Sequence, residues 1–388
     1  MRTVTSDSSP LIFTPLRLRE VEFPNRIAIS PMCQYCATDG LADDWHLVHL
    51  GRYAIGGAGL VMVEATAVEK RGRISHGDLG IYNDDQIAPL RRISDFLRAN
   101  GSVPGIQLAH AGRKASMQRA WRGNAALGPE DHARGELPWP VIAPSPIPGN
   151  DGWLLPDEMT PQDMTAQIEA WCAAAERAER AGFDVIELHL AHGYLLHSFL
   201  SPLSNMREDE WGGSFENRCR LPLEIVGAVR AAWPAEKPLF VRISAVDGME
   251  GGWELEDSLR FAVLLRDAGV DLVDCSSGGL AASATAPGAK NLPRSAGFQV
   301  PYAAAVKRHA SLPVMAVGLI LTPEQAEAIL DAGDADMIAI GRGALNDPNW
   351  PEHARQILDP GQAGHNIPPQ IGWWLTRWLR QLRSLDLS

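Results

Sequence analysis

An alternation constrains this chain more than any other feature. Eight short apolar runs, at residues 26–30, 60–64, 103–108, 185–189, 239–243, 272–275, 314–317 and 337–340, are separated by stretches of helical periodicity. The runs are rich in β-branched residues and lack polar alternation, the pattern of strands covered on both faces. The helical stretches fall at 45–55, 87–100, 161–181, 216–232, 255–268, 299–309 and 323–332, with a last one from about 344. Thr160-Pro161 and Thr322-Pro323 set a cap before a first-turn proline. Ala-Gly pairs at 181–182, 268–269 and 332–333 supply a glycine able to end a helix in the left-handed conformation. Eight strands alternating with eight helices predict an α/β fold, a single (β/α)8 barrel closed by right-handed crossovers. The rival, a doubly wound open sheet, is weakened because no G-x-G-x-x-G turn follows an early strand.

The remaining segments decorate that frame. Residues 1–10 are polar and read as a disordered head; 11–388 read as one domain, opening with a hairpin over 13–23 that closes the bottom of the barrel. One connection breaks the short-loop rule: 109–159 is rich in Pro, Gly and Trp, and so long an insertion after the third strand is expected to cover the active face. Net charge is −12, with 35 basic against 47 acidic residues. Phosphate-backbone or anionic-lipid binding needs clustered cations, so neither a nucleic acid nor a membrane is an expected partner. No apolar run approaches a membrane span, and five dispersed cysteines fit free thiols in a reducing cytoplasm.

In such a barrel the chemistry sits where strands end at their carboxyl side. Those ends read Ser30-Pro31-Met32-Cys33-Gln34-Tyr35, Glu64-Ala65-Thr66, Gln107 running on to Arg113-Lys114, His189-x-x-His192-x-Tyr194, Arg242, Ser276-Ser277-Gly278-Gly279, Gly318 and Gly341-Arg342-Gly343. Strand period places His189 as the last inward residue of its run, with His192 and Tyr194 on the loop beyond. Glycines at the seventh and eighth ends, with an arginine at the eighth, match the usual place of a barrel phosphate site. No metal is expected: an H-x-x-H pair needs further ligands for zinc, and no nearby spacing supplies them.

Taken together, Asn25-Arg26-Ile27, Ser30-Pro31-Met32-Cys33, Glu64-Ala65-Thr66, the stretch from Gln107 to Lys114, His189-x-x-His192-Gly193-Tyr194-Leu195, the segment from Phe199 to Asn205, Gly212-Gly213-Ser214 with Glu216-Asn217-Arg218, and Gly341-Arg342 resemble the Old Yellow Enzyme family. Within it they resemble the branch of bacterial YqjM-like and xenobiotic-reductase-like ene-reductases. The resemblance runs over nearly the whole chain after Leu11. It implies tightly bound, non-covalent FMN, NADPH or NADH as hydride donor, and ping-pong reduction of the C=C bond of activated alkenes such as unsaturated carbonyl and nitro compounds.

The same resemblance implies roles. His189 and His192 would donate hydrogen bonds to the substrate oxygen, drawing charge from the carbon that receives hydride. Tyr194 would deliver the proton, and Tyr35 would touch substrate. Ser30, Pro31, Met32 and Ala65 would line the flavin ring, Cys33 would sit beside its reactive edge, and Gln107 and Arg242 would hold the pyrimidine edge, where a fixed cation favours the reduced form. Gly318, Gly341 and Arg342 would hold the FMN phosphate. Trp374 or Arg377 would reach a neighbouring subunit's site, implying a homodimer or homotetramer.

Blander readings stand beside these: a rim ion pair for Arg242, turn chemistry for the glycines, and an amphipathic closing helix for 373–378. Arg113-Lys114 would either meet NADPH phosphates or be solvated. Cys33-x-x-Cys36 follows a strand rather than opening a helix, so a redox dithiol is not expected and a disulfide is the lesser alternative. Iron–sulfur relatives fit less well, since the last cysteine is Cys275. A metal-dependent barrel hydrolase and a non-enzymatic flavin-binding module are the rivals of other classes.

Overall fold

The computed structural model describes residues 9–280, 292 and 294–387. Eight parallel strands close on themselves: β1 (Ile27–Ile29), β2 (Leu60–Ala67), β3 (Val103–Ala109), β4 (Val185–Leu190), β5 (Leu239–Ser244), β6 (Leu272–Ser276), β7 (Val314–Ala316) and β8 (Met337–Ile340). They pair in chain order, and β8 returns to β1 with Ile340 opposite Ile29. Every residue of these eight strands is buried, their polar side chains included, as in a parallel barrel covered on both faces.

Around the barrel run α1 (Asp44–Ile55), α2 (Ile87–Ala99), α3 (Pro161–Arg180), α4 (Phe215–Ala232), α5 (Leu255–Asp267), α6 (Val300–Ala310), α7 (Pro323–Asp331), α8 (Trp350–Leu358) and α9 (Pro369–Ser384). Thr160 caps α3 by accepting the Asp163 N–H, and Thr322 does the same for α7 through Gln325. The largest apolar cluster lies between strands and helices, with Trp171, Phe183 and Phe261 fully buried. A second cluster fills the barrel floor, where Phe23 stacks on Phe240 at 6.1 Å.

Phe23 comes from the bottom hairpin, Leu16–Leu18 against Val21–Phe23. The hairpin begins later than its expected start at 13, because Leu11–Phe13 forms a 3-10 turn instead. Of the expected disordered head, residues 1–8 lie outside the described residues. β2 runs three residues beyond its expected end at 64, and its register shifts between Val63 and Thr66. The extension is held by Ala67, which donates its N–H to Leu79 O and takes an N–H from Ile81.

The 109–159 insertion is ordered by short elements: 3-10 turns at Gly112–Lys114 and Ala120–Arg122, a helix at Pro129–Ala133, and a two-strand bridge between Ile142–Ala143 and Asp157–Glu158. Its apolar residues Ala111, Ala115, Met117 and Val141 form a third cluster with Ile74. Cys33, Tyr35, Trp153, Leu154 and Tyr194 pack against it. The insertion therefore meets the strand-end residues directly.

Candidate active site

β4 sets the centre of the site. Side chains alternate along a strand, so Glu187 and His189 both enter the barrel, Glu187 one layer below. Beyond Leu190 the chain turns sharply: His192 and Gly193 have φ of +60° and +72°, the first uncommon for a residue with a side chain. The turn brings three rings together. His189 meets His192 edge-on at 5.2 Å between centroids and Tyr194 edge-on at 4.9 Å.

The strained turn is held from several sides. His192 N–H donates to Ser244 Oγ at 3.0 Å, and Lys114 Nζ donates to His192 O at 2.8 Å. Gly193 N–H donates to His197 Nδ1 at 2.7 Å, and His197 Nε2 lies 3.1 Å from Asp247 Oδ1. Asp247 in turn accepts from Ser201 Oγ and Trp253 N, each at 2.7 Å. Gly193 has no room for a Cβ, which would lie 2.7 Å from Gly279 O and Leu280 O.

Both histidines are neutral. Burial, and then the Arg242 guanidinium, hold each imidazole well below its ordinary pKa. Burial likewise pushes the Tyr194 phenol up, so it keeps its proton. Cys33 is raised well above the usual thiol range by burial and then by Glu64. Tyr35, at φ +51°, is raised first by the neighbouring Cys33 and then by burial, and it packs edge-on against Trp121 at 5.8 Å.

A polar layer lies beneath the rings. Gln107 Nε2 donates to Glu187 Oε1 at 2.8 Å, and Arg242 Nε faces Asp274 Oδ2 at 3.2 Å. All four side chains are buried. Burial and the nearby Asp274 push Glu187 up to about 8, while Arg242 opposes the shift. The rim ion pair expected as the bland reading of Arg242 is thus present, but inside the barrel. Glu187 and Asp274 carried no expected role, although an acid two positions before His189 in an apolar run is legible as an inward group.

Several expectations need correcting. Arg113 and Lys114 are not solvated. Both are buried: Arg113 Nη2 donates to Leu280 O at 3.0 Å, and Lys114 donates to Gly279 O as well as His192 O. Burial, then the adjacent Arg113, lowers Lys114 to about 7. Cys33 and Cys36 are free thiols, and Cys36 Sγ instead lies 3.6 Å from His46 Nε2. His197 and Asp247 escaped sequence reasoning as site residues, and Ser276, named only as a strand end, was given no role, since its partner His192 lies 84 positions away.

The strand ends can be tested against a flavin phosphate. Ser30 Oγ is buried at the top of β1 without a partner among the described residues. Gly341 stands beside it, and among the described residues a Cβ there would find only Ser30, at 3.8 Å, so that face is open. Arg342 follows, exposed, opening a short helix to Asn346. Gly318 takes φ +112°, with Gln299 2.7 Å from where a Cβ would lie. An open face, an unused hydroxyl and a buried cation at Arg242 suit a planar, phosphate-bearing cofactor. Trp374 and Arg377 lie elsewhere, on exposed α9. Arg377 stacks on Trp373 at 4.4 Å, and among the described residues neither bonds to a strand-end residue.

Known proteins share this sequence pattern and fold. The sequence model of the NADH:flavin oxidoreductase / NADH oxidase family matches residues 11–360. An NADPH dehydrogenase of Geobacillus thermodenitrificans is 43% identical over 350 residues, 90% of this chain and 94% of that protein. The structure of morphinone reductase in complex with tetrahydroNAD superposes with TM-score 0.73 at 25% identity, covering 90% of this chain and 92% of the other. A 2-naphthoyl-CoA reductase complex shares the fold, with TM-score 0.77 at 24% identity, and the chain spans about half, 53%, of that longer protein. With fold and sequence in accord, this enzyme is an NAD(P)H-dependent flavin oxidoreductase using FMN, and the chain belongs to the NADH:flavin oxidoreductase / NADH oxidase family.

Proposed function

We propose that this enzyme reduces the C=C bond of activated alkenes, unsaturated carbonyl or nitro compounds, in a ping-pong cycle. The observation that carries the reading is the cluster of two neutral, buried histidines and a protonated tyrosine, in which the His189 ring centroid lies 5.2 Å from that of His192 and 4.9 Å from that of Tyr194. Neutral imidazoles donate hydrogen bonds without competing for the proton, which suits a substrate oxygen that gains charge. Tyr194 then protonates the carbon next to the activating group, and Tyr35 borders the substrate.

When bound, FMN would supply the hydride chemistry linking NAD(P)H to the alkene. In our reading Ser30, Pro31, Met32 and Ala65 line the ring, Cys33 sits beside its reactive edge, Gly318, Gly341 and Arg342 hold the phosphate, and Gln107 and Arg242 take the pyrimidine edge. A guanidinium there favours negative charge on that edge. The Asp274 carboxylate holds the guanidinium in place from below.

We further read α9 as the place where copies meet, in a homodimer or homotetramer, with Trp374 or Arg377 entering the neighbouring site. Trp373, Trp374 and Trp378 are each more than half exposed on that one helix. Five free cysteines suit a reducing cytoplasm. No helix among the described residues is long and apolar enough to cross a membrane.

Anaerobic stopped-flow tests the central reading. Mixing with NADPH is expected to bleach the flavin band, and 2-cyclohexenone to restore it. Bleaching that no enone, nitroalkene or quinone reverses would overturn the alkene assignment and leave the flavin oxidoreductase intact.

A further inference from the structure

His192 has one ring nitrogen already committed. Its Nε2 lies 2.7 Å from Ser276 Oγ, which is buried at the end of β6. That hydroxyl has no other side-chain or backbone partner among the described residues. The neighbouring Ser244 hydroxyl is fully used by contrast, taking the His192 N–H and donating to Gly278 O at 2.7 Å.

The direction of the Ser276 contact follows from counting hydrogens. If the imidazole donated, the serine hydrogen would be left buried without an acceptor, the costlier kind of unmet group. If the hydroxyl donates, its hydrogen is met, and the hydrogen left without a protein acceptor among the described residues is the imidazole's own, on the nitrogen free to meet a substrate oxygen. The imidazole is neutral, because burial, then Arg242 and His189, disfavour its charged form. With Nε2 accepting, its single proton sits on Nδ1. His189 has the opposite arrangement. Its Nδ1 faces the Ala191 N–H at 3.3 Å, which leaves the proton on Nε2.

We propose that Ser276 is a positioning residue that fixes His192 as the Nδ1–H tautomer, so that the two histidines offer opposite ring nitrogens, His189 Nε2–H and His192 Nδ1–H, to one substrate oxygen. An oxygen with two lone pairs, of a carbonyl or nitro group, accepts both. Without Ser276 the His192 proton redistributes between its nitrogens, and part of the population presents a bare acceptor to the substrate oxygen. The proposal rests on reading the pair as the substrate clamp.

Nitrogen-15 spectra of histidine-labelled, FMN-loaded protein test it, with the His192 signals identified by their loss in His192→Asn. His192 is expected protonated at Nδ1 and His189 at Nε2. Ser276→Ala is expected to mix the His192 tautomers and raise KM for 2-cyclohexenone about fivefold or more, the scale of one hydrogen bond. Its kcat, thermal midpoint and FMN content should change less, and Ser276→Thr should recover both tautomer and KM. A proton on His192 Nε2 in the wild type, or an unchanged tautomer and KM in Ser276→Ala, would overturn the proposal. Failure of the wild type to reduce any enone would instead sink the alkene reading, and the spectra alone would then decide the role of Ser276.

Discussion

At the scale of single residues, burial governs the chemistry more than proximity of charge does. His189, His192 and Tyr194 each have burial as the largest influence, and in all three it favours the neutral form. Tyr194→Phe removes the proton source and leaves the ring packing, so reoxidation by 2-cyclohexenone should slow at least ~100-fold, the usual weight of a general acid. Bleaching by NADPH should persist in the same stopped-flow traces. Glu187 makes a second case. Its carboxyl is raised to about 8 in the folded protein, above the 4.5 usual for the free group, so the folded state holds a proton that the unfolded chain releases. That contribution to stability is full below pH 4.5 and is lost as pH rises through about 8. Glu187→Gln keeps an acceptor for Gln107 and has no such slope. Thermal unfolding should show the variant close to wild type at pH 5 and more stable at pH 9, by about 1–3 kcal/mol.

At the scale of elements, the loop after β4 is built to hold an unfavourable turn. A side-chain-bearing residue at φ +60° followed by a glycine at +72° persists because His192 and Gly193 are tied to β5, the insertion and the short helix Leu195–Leu200. His197, on that helix, accepts the Gly193 N–H and is itself set by Asp247. His197→Leu leaves that N–H without an acceptor and should cost about 1–3 kcal/mol in urea unfolding. His197→Asn keeps an acceptor near Nδ1 and should lose less, and equal losses would show that the ring's bulk matters rather than its nitrogen. Lys114 places the insertion in the same network, which explains why its amine is buried rather than solvated. A long connection over a barrel mouth therefore acts here as structure around the site as well as cover for it.

At the scale of the whole molecule, the barrel is a closed unit that leaves one amphipathic element, α9, with little contact to its own chain. Gly372 is its one buried residue among those described, and its small size lets the helix approach Gly364 closely. Replacing Trp373, Trp374 and Trp378 together with Ser should leave the barrel folded and FMN-loaded. Sedimentation should then show a smaller species than the wild type if α9 joins copies. An unchanged sedimentation coefficient would place the contact elsewhere, or show that the chain works alone.

Local sequence determined most of the architecture. Apolar runs of strand length, Thr-Pro starts and Ala-Gly stops mark eight strands and their helices to within a few residues, because pleat period and capping are read over a handful of neighbours. Strand period also told which side chains enter the barrel, so His189, Gln107 and Arg242 were legible at their strand ends. What tertiary structure alone decided is which groups share a proton or a hydrogen bond. Ser276 meets His192 across 84 positions, Gln107 meets Glu187 across 80, and Lys114 meets the His192 carbonyl across 78. Such partnerships depend on closure of the barrel, which brings distant strand ends to one rim, and no local pattern in the chain encodes the distances there.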